Sequence, residues 1–224
     1  MTFQKVRFSP RCSRAFFLAA CVASAPAFAA GALHFDQVFN DKGEPAALDY
    51  RATYQLGGTE HHIEVWRDRD RKLRRRTDDA LETYVLKSPK DAEWRMVVLD
   101  LKRKIRTDVE RSNLYRIGHF TDWFSLSHAL ARPSGDYSLT RLAAAPVNDK
   151  PLLACQWYVL TRAGSASNIC WSPSLNVPLL ITDAGGTVQW RVTFASKNAL
   201  PAATFAVQDQ GFVVNDANSD IRGD

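Results

Sequence analysis

The side chains best suited to bind a metal ion or to catalyse a reaction are the five histidines of this chain. His61 and His62 are adjacent in a segment that reads as a strand, so they point to opposite faces and cannot bind one metal ion together. His34 lies near the start of the mature chain predicted below, while His119 and His128 bracket a short apolar segment. We therefore expect each histidine to be exposed or simply hydrogen-bonded, and we predict no metal site.

No sequence motif supplies a catalytic or cofactor-binding constellation. H-E-x-x-H, G-x-S-x-G and a glycine-rich phosphate loop are all missing. Gly164-Ser165-Ala166-Ser167 has the composition of a turn, and a nucleophilic serine there would need a positioned base that this spacing does not supply. We predict a protein that is not an enzyme, with no catalytic residues and no cofactor.

Cys155 and Cys170 are predicted to form a disulfide. They remain after removal of the leader described below, and an even pair in an exported protein is typical of a disulfide. Closing their 15-residue separation stabilises the fold by about 3 kcal/mol in the chain-entropy treatment. A hairpin with Cys155 opposite Cys170 would place Trp157 opposite Asn168.

All six tryptophans lie beyond the leader, on separate predicted elements. A place in the core is the simpler explanation for any one of them. Their spread over several strands and one helix favours aromatic rings that surround one cavity, which suits an acyl chain or another extended apolar ligand. The residues assigned to this cavity are Tyr54, Trp66, Trp94, Trp123, Phe124 and Trp190.

Seven basic residues and two aspartates stand in the segment 67–76, RDRDRKLRRR. Interspersed charges of this kind are typical of a solvated hairpin edge, where they discourage pairing with another sheet. The alternative is a docking patch at the cavity rim, formed by Arg74, Arg75 and Arg76, for an anionic lipid head group or an acidic partner surface.

Alternating apolar and polar residues predict strands over most of the chain. Gly57-Gly58 between two such segments indicates a hairpin turn. The predicted strands are 48–56, 59–67, 81–86, 94–101, 102–109, 157–160, 168–171, 177–182 and 187–196. Only 120–131 has helical spacing, with Thr121 or Asp122 as N-cap and Pro133 beyond its end. The expected fold is mainly β: a curved antiparallel sheet or unclosed half-barrel whose concave face is covered by one short helix.

Residues 1–29 are predicted to be a secretory signal peptide. Four basic residues precede an apolar run too short to anchor the chain, and Ala27-Phe28-Ala29 is a small-x-small cleavage pattern. Leu18-Ala19-Ala20-Cys21 gives the alternative of a lipobox, in which Cys21 becomes the acylated first residue of an anchored lipoprotein. We expect an exported, periplasmic protein cleaved before Ala30.

The mature chain is expected to form one domain over residues 30–224, with no transmembrane segment and a flexible tail from about residue 214. Removal of the leader lowers the formal net charge from +5 to +1. A nearly neutral exported protein gives no electrostatic reason to expect a nucleic acid partner.

Three parts of the sequence together resemble the periplasmic lipoprotein-carrier superfamily that includes LolA, LolB and RseB. They are the strand 48–56 turning through Gly57-Gly58 towards Val65-Trp66, the LRRR segment 73–76, and the closing segment 194–212 with its Pro-x-x-x-Phe spacing (Pro201, Phe205) and Phe212. The resemblance implies an unclosed barrel with an apolar concave face that binds acyl chains or lipidated proteins. In the manner of RseB, the alternative is a regulatory or structural module that binds an envelope protein.

Overall fold

The alternating segments assemble into β-strands. The structure, a computed structural model, describes residues 33–69, 72–87, 94–110 and 123–216. The predicted signal peptide, its cleavage site and Cys21 lie outside these residues. The strands are β1 Leu48–Leu56, β2 Thr59–Asp68, β3 Lys72–Thr77, β4 Leu81–Lys87, β5 Trp94–Asp100, β6 Ile105–Val109, β7 Tyr137–Arg141, β8 Gln156–Arg162, β9 Ser165–Ser172, β10 Val177–Asp183, β11 Val188–Ser196 and β12 Val213–Asp216.

The strands form one sheet in the order β12-β6-β5-β4-β3-β2-β1-β11-β10-β9-β8-β7. The pairs within this sheet are antiparallel, apart from the parallel pair β6 and β12. Because β12 and β7 are its two edges, the sheet is not closed. The predicted fold class, a mainly β and unclosed antiparallel sheet with little helix, is confirmed.

The hairpin of β1 and β2 has the turn that its sequence predicts. Gly57 and Gly58 both have positive φ, 59° and 81°. A two-residue turn with this backbone matches the twist of antiparallel strands, and glycine adopts it without strain. The register then runs unbroken from Leu56 opposite Thr59 to Leu48 opposite Arg67.

Helices are short within the described residues. The helix α1 spans Phe35–Val38, α2 spans Trp123–His128, and a 3₁₀ helix spans Ala202–Phe205. The sequence predicted only α2, because a single turn such as α1 shows no helical periodicity; the proposed N-caps of α2 lie outside the described residues. None of the described helices is long and apolar enough to cross a membrane.

The disulfide between Cys155 and Cys170 is confirmed, with a Cα–Cα distance of 5.4 Å. The predicted register is wrong by two residues, because Cys170 lies opposite Trp157 rather than Cys155. The hairpin turns at Ala163-Gly164, both with positive φ, and this turn sets the pairing of β8 with β9. Cys155 precedes β8 and reaches Cys170 from outside the ladder.

One further prediction needs correction. The arginine-rich strand β3 pairs with β2 on one side and β4 on the other, so it is an interior strand and not a hairpin edge. The chain continues as β12 to Asp216, and the residues from 217, which make up most of the expected flexible tail, lie outside the described part. The backbone N–H of Val213 donates to the carbonyl of Lys104 at 2.8 Å, which joins this segment to the sheet.

Side chains alternate between two faces of β1 to β6, which we call the inner and outer faces. The inner face carries Tyr50, Val65, Leu73, Val85 and Met96, which belong to one buried cluster that also includes Leu126 of α2. The outer face carries a smaller cluster of Tyr84, Val97 and Leu99, covered by Val207 and Phe212. A third cluster joins Phe35 and Phe39 to Phe124 and to Trp171 of β9. Helix α2 therefore packs against the inner face, and α1 packs against α2 through Phe35 and Phe124.

Candidate ligand-binding site on the inner face

Burial on the inner face falls from one end of the strands to the other. The strand pairings align side chains in rows across β1 to β6. The first row is at most 5% exposed and forms what we call the closed end: Leu48, Arg67, Leu73, Val85, Met96 and Val109. Helix α2 packs against this end through Leu126 and Trp123.

Two rows further along the strands, Ala52 and Ile63 of β1 and β2 are still buried, but the same face is only partly covered on β3 to β6 and, one row beyond, at Tyr54 and His61. The side chains of Tyr54, His61, Thr77 and Ile105 are half-buried, and Leu81 is 44% exposed. Together with Arg75, Val98 and Trp190 they form what we call the open end. An apolar surface that is part of a packed core at one end and accessible at the other is the usual form of a ligand-binding cleft.

Aromatic rings line one side of the open end. The ring of Tyr54 stacks on His61 at 5.2 Å and lies 6.3 Å from Trp190, which also contacts Tyr50. The indole N–H of Trp190 donates to the carbonyl of Pro178 at 2.8 Å, which fixes the ring. His61 Nδ1 lies 2.5 Å from Asp78, and this hydrogen bond lowers the pKa of the Asp78 carboxyl. Burial raises the pKa of Tyr54, which stays a neutral phenol.

Arg75 brings a positive charge to the inner face. It shares this face with Leu73 because they are two residues apart in β3, and it is half-buried. Among the described residues it forms no ion pair, and its Nε is shielded from solvent without a hydrogen-bond partner. Its charge acts on the phenols of Tyr50 and Tyr54, in each case against the effect of burial on the pKa.

At the closed end, a buried polar network holds α2 to the sheet. The guanidinium of Arg67 is 0% exposed, and it donates to the carbonyls of Ser127 and Leu175 at 2.8 and 3.0 Å. Its charge faces Glu44, whose carboxylate lies 3.5 Å from Arg67 and 3.0 Å from His128 Nε2. Burial lowers the pKa of His128, so the neutral imidazole donates to Glu44. Every charge in this network therefore has a partner, as buried charges require.

Ser127, His128 and Glu44 have the order of a nucleophile, a base and an acid, since Ser127 Oγ lies 2.7 Å from His128 Nδ1. Ser127 and His128 are both 0% exposed, and the same Oγ lies 2.7 Å from the carbonyl of Trp123. This hydroxyl already donates to the backbone carbonyl of its own helix, so it has a partner within the fold and is not free to act as a nucleophile. The contacts instead attach α2 to the segment that precedes β1.

Trp66 and Arg74 lie on the outer face, so the prediction that Trp66 lines the same cavity as Tyr54 and Trp190 is wrong. Trp66 is next to the inner-face residue Val65 and pairs with Arg74, whose guanidinium lies 4.8 Å above its ring. Arg74 also forms an ion pair with Glu82 at 2.5 Å. The segment 202–212 covers this region, and Arg74 donates to the carbonyl of Thr204.

The predicted rim patch of Arg74, Arg75 and Arg76 is divided between the two faces, because successive side chains of a strand point to opposite faces. Arg76 shares the outer face with Arg74 and forms an ion pair with Asp79 at 2.9 Å, beside a polar cleft of about 310 Å³. Arg75 alone of the three projects from the inner face. The other predicted cavity residues divide too: Trp123 packs at the closed end and Phe124 in the third cluster, while the side chain of Trp94 lies outside the described part.

Sequence reasoning missed Tyr50 and His61 as parts of the site and placed Arg75 at the rim. The signal was available, because Leu73 and Arg75 are two residues apart and must share a face in any strand. Among the described residues, no group of three or more His, Cys, Asp or Glu side chains could hold a metal ion.

No known protein family and no curated protein sequence matches this chain. Among solved structures, two crystal forms of PNGF-II overlap with it at TM-scores of 0.40, with 9% and 10% identity over 80% and 78% of this chain. The crystal structure of MucB overlaps at a TM-score of 0.39, with 15% identity over 77% of this chain. This chain spans 33% and 32% of the PNGF-II chains and 61% of MucB. Overlaps this loose assign no function.

Proposed function

We propose that this chain is a non-enzymatic binding protein of the cell envelope, which holds the acyl chain of an apolar ligand or of a lipidated protein at the open end. The observation that supports this proposal is the fall in burial along the inner face, from the enclosed row with Leu48 to the accessible Leu81. Each methylene that leaves water for such a surface contributes about 0.8 kcal/mol.

The proposed location outside the cytoplasm rests on separate observations. The disulfide between Cys155 and Cys170 requires an oxidising compartment to persist. The predicted signal peptide over residues 1–29 would deliver the chain to the periplasm. A periplasmic carrier of the lipoprotein-carrier type would meet both acyl chains and lipidated partners there.

Ligand titration with matched leucine variants tests this function. Leu81→Glu adds a charge at the open end, whereas Leu152→Glu adds the same charge at a leucine of similar exposure, 44% against 42%, in the loop before β8. Tryptophan fluorescence should change when the wild-type protein is titrated with lysophospholipid. We expect at least tenfold weaker binding by Leu81→Glu and unchanged binding by Leu152→Glu.

Protection against unfolding gives the second readout, because a ligand that binds only the native state must stabilise it, by about 2.7 kcal/mol at a hundred times its dissociation constant. If lysophospholipid changes neither the fluorescence nor the unfolding midpoint, the proposed function is wrong. Equal weakening by the two glutamate variants would also contradict binding at the open end.

A regulatory or structural module that binds an envelope protein is the second candidate. The observation in its favour is the closed end, where Leu126 of α2 fills the inner face as part of the core. Purification from a periplasmic extract separates the two functions. A stoichiometric protein partner without extractable lipid would favour the module, and bound lipid without a partner would favour the binding protein.

A further inference from the structure

Three polar atoms on the inner face have no hydrogen-bond partner among the described residues: Nε of Arg67, whose guanidinium donates through its two other nitrogens, the hydroxyl of Tyr50, and Nε of Arg75. The hydroxyl of Tyr50 is fully buried and makes no hydrogen bond with the described residues, and the same holds for Nε of Arg75. Polar atoms removed from water in this way are rare in native proteins, because each one left unpaired is costly. Such atoms are therefore candidates for the contact points of a ligand.

Tyr50 and Arg75 are positioned to act together. They flank Val65 in one row of the inner face, on β1, β3 and the intervening β2. Two strand spacings place their Cα atoms about 10 Å apart, a distance that two long side chains can close above a valine. Burial raises the pKa of Tyr50 to about 12, while the charges of Arg67 and, less strongly, Arg75 favour the ionised phenol.

No acidic side chain among the described residues neutralises the positive charge of Arg75. Asp78 is hydrogen-bonded to His61, and Asp100 accepts from the backbone N–H groups of Lys102 and Arg103 in its own turn. Glu44 belongs to the network of Arg67 at the closed end. The open end therefore presents a positive charge that an anionic ligand would neutralise.

Resting on the proposed function, we propose that Tyr50 and Arg75 bind the carboxylate head of a single-chain amphiphile, a fatty acid, whose chain lies on the apolar surface of the open end. The neutral phenol would donate one hydrogen bond to a carboxylate oxygen, and the guanidinium would donate charge-assisted hydrogen bonds to the same group. Val98, Leu81 and Ile105 continue this face across β4 to β6 and would contact the chain.

Dodecanoate, dodecanol and dodecyl phosphate, each below its micellar concentration, are suitable probes because they share one chain and differ in the head group. Calorimetric titration of the wild-type protein should give at least tenfold tighter binding of dodecanoate than of dodecanol. Arg75→Gln should weaken dodecanoate about tenfold or more and leave dodecanol unchanged. Arg76→Gln, one residue along β3 on the outer face, is the matched control and should bind all three probes as the wild type does.

Tyr50→Phe separates a ligand contact from a structural role. The hydroxyl has no partner in the unliganded protein, so its removal should leave the melting temperature unchanged or raised while it weakens dodecanoate binding. A lowered melting temperature in Tyr50→Phe would overturn the proposal, because the hydroxyl would then stabilise the fold itself.

Three further outcomes would contradict carboxylate binding by Tyr50 and Arg75. Equal affinity for dodecanoate and dodecanol, with no effect of Arg75→Gln, would overturn carboxylate recognition while leaving the acyl-binding function intact. Tighter binding of dodecyl phosphate than of dodecanoate, lost in Arg75→Gln, would overturn the choice of a carboxylate in favour of a phosphate head group. Failure of all three probes to bind would contradict the proposed function as well.

Discussion

The two ends of the inner face each contain an arginine, and the two side chains differ in whether their charge has a partner. Arg67 at the closed end is fully buried, and it contacts two carbonyls and the carboxylate of Glu44. Arg75 at the open end is half-buried, with no ion pair among the described residues. A charge that is fully paired serves the fold, whereas one held near a partly covered apolar surface without a partner is available to a ligand.

The largest expected effect is the difference in stability between two matched variants. Arg67→Met should lower the free energy of unfolding by about 3–5 kcal/mol, because it leaves Glu44 and two buried carbonyls without their donor. Arg75→Met should change it by less than about 0.5 kcal/mol, since no hydrogen bond is lost. Urea unfolding of both variants measures this difference, and equal losses would show that the two arginines are not used differently.

An intermediate effect is expected from acid at the closed end. Burial lowers the pKa of His128 in the folded protein below its ordinary value of 6.5. As the pH falls below about 6.5, the unfolded chain takes up a proton that the folded protein does not, so stability declines by up to about 1.4 kcal/mol per pH unit. This loss continues until the pH passes the folded pKa.

Urea unfolding between pH 7 and pH 5 measures this decline, and His128→Gln should flatten it. Asp78, whose pKa is also lowered, contributes stability that is lost only below its ordinary value of 3.8, outside this range. A decline of the same slope in His128→Gln would mean that another group titrates.

The smallest effect is expected from the hydrogen bond between His61 and Asp78 at the open end. Asp78→Asn removes the negative charge of the carboxylate that accepts from His61 and from the backbone N–H of His62, but the side chains of Asp78 and His61 are partly exposed. An exposed pair of this kind contributes less than about 1 kcal/mol. Thermal unfolding should therefore show a small change at neutral pH. A loss comparable with that of Arg67→Met would indicate that the open end is as tightly packed as the closed end.

Much of the sheet could be predicted from the sequence, because strict alternation and turn residues such as Gly57-Gly58 are local signals. The one-turn helix α1 and the parallel strand β12 could not, since four residues carry no recognisable period and pairing with β6 is a long-range contact. The disulfide was predictable from composition. The register of β8 with β9 was not, because the sequence allowed the turn at Ala163-Gly164 or at a neighbouring position.

The candidate site was predicted less well than the fold. Grouping the tryptophans by type placed Trp66 in the cavity, although its position next to Val65 puts it on the outer face. Whether a charged side chain is paired depends on residues far away in sequence: Arg74 meets the carbonyl of Thr204, and Arg67 meets Leu175. Alternation alone could have separated Arg75 from Arg74 and Arg76, but not shown that Arg75 lacks a partner.

The Nε–Hε resonance of Arg75 in a ¹⁵N-labelled sample, assigned by its loss in Arg75→Gln, tests the central claim most directly. Titration with dodecanoate should shift this resonance, since its Nε has no hydrogen bond in the unliganded protein. The resonance of Arg74, already bonded to Glu82, should stay in place. A saturating titration that moves other resonances and leaves that of Arg75 unchanged would contradict binding at the open end through this side chain.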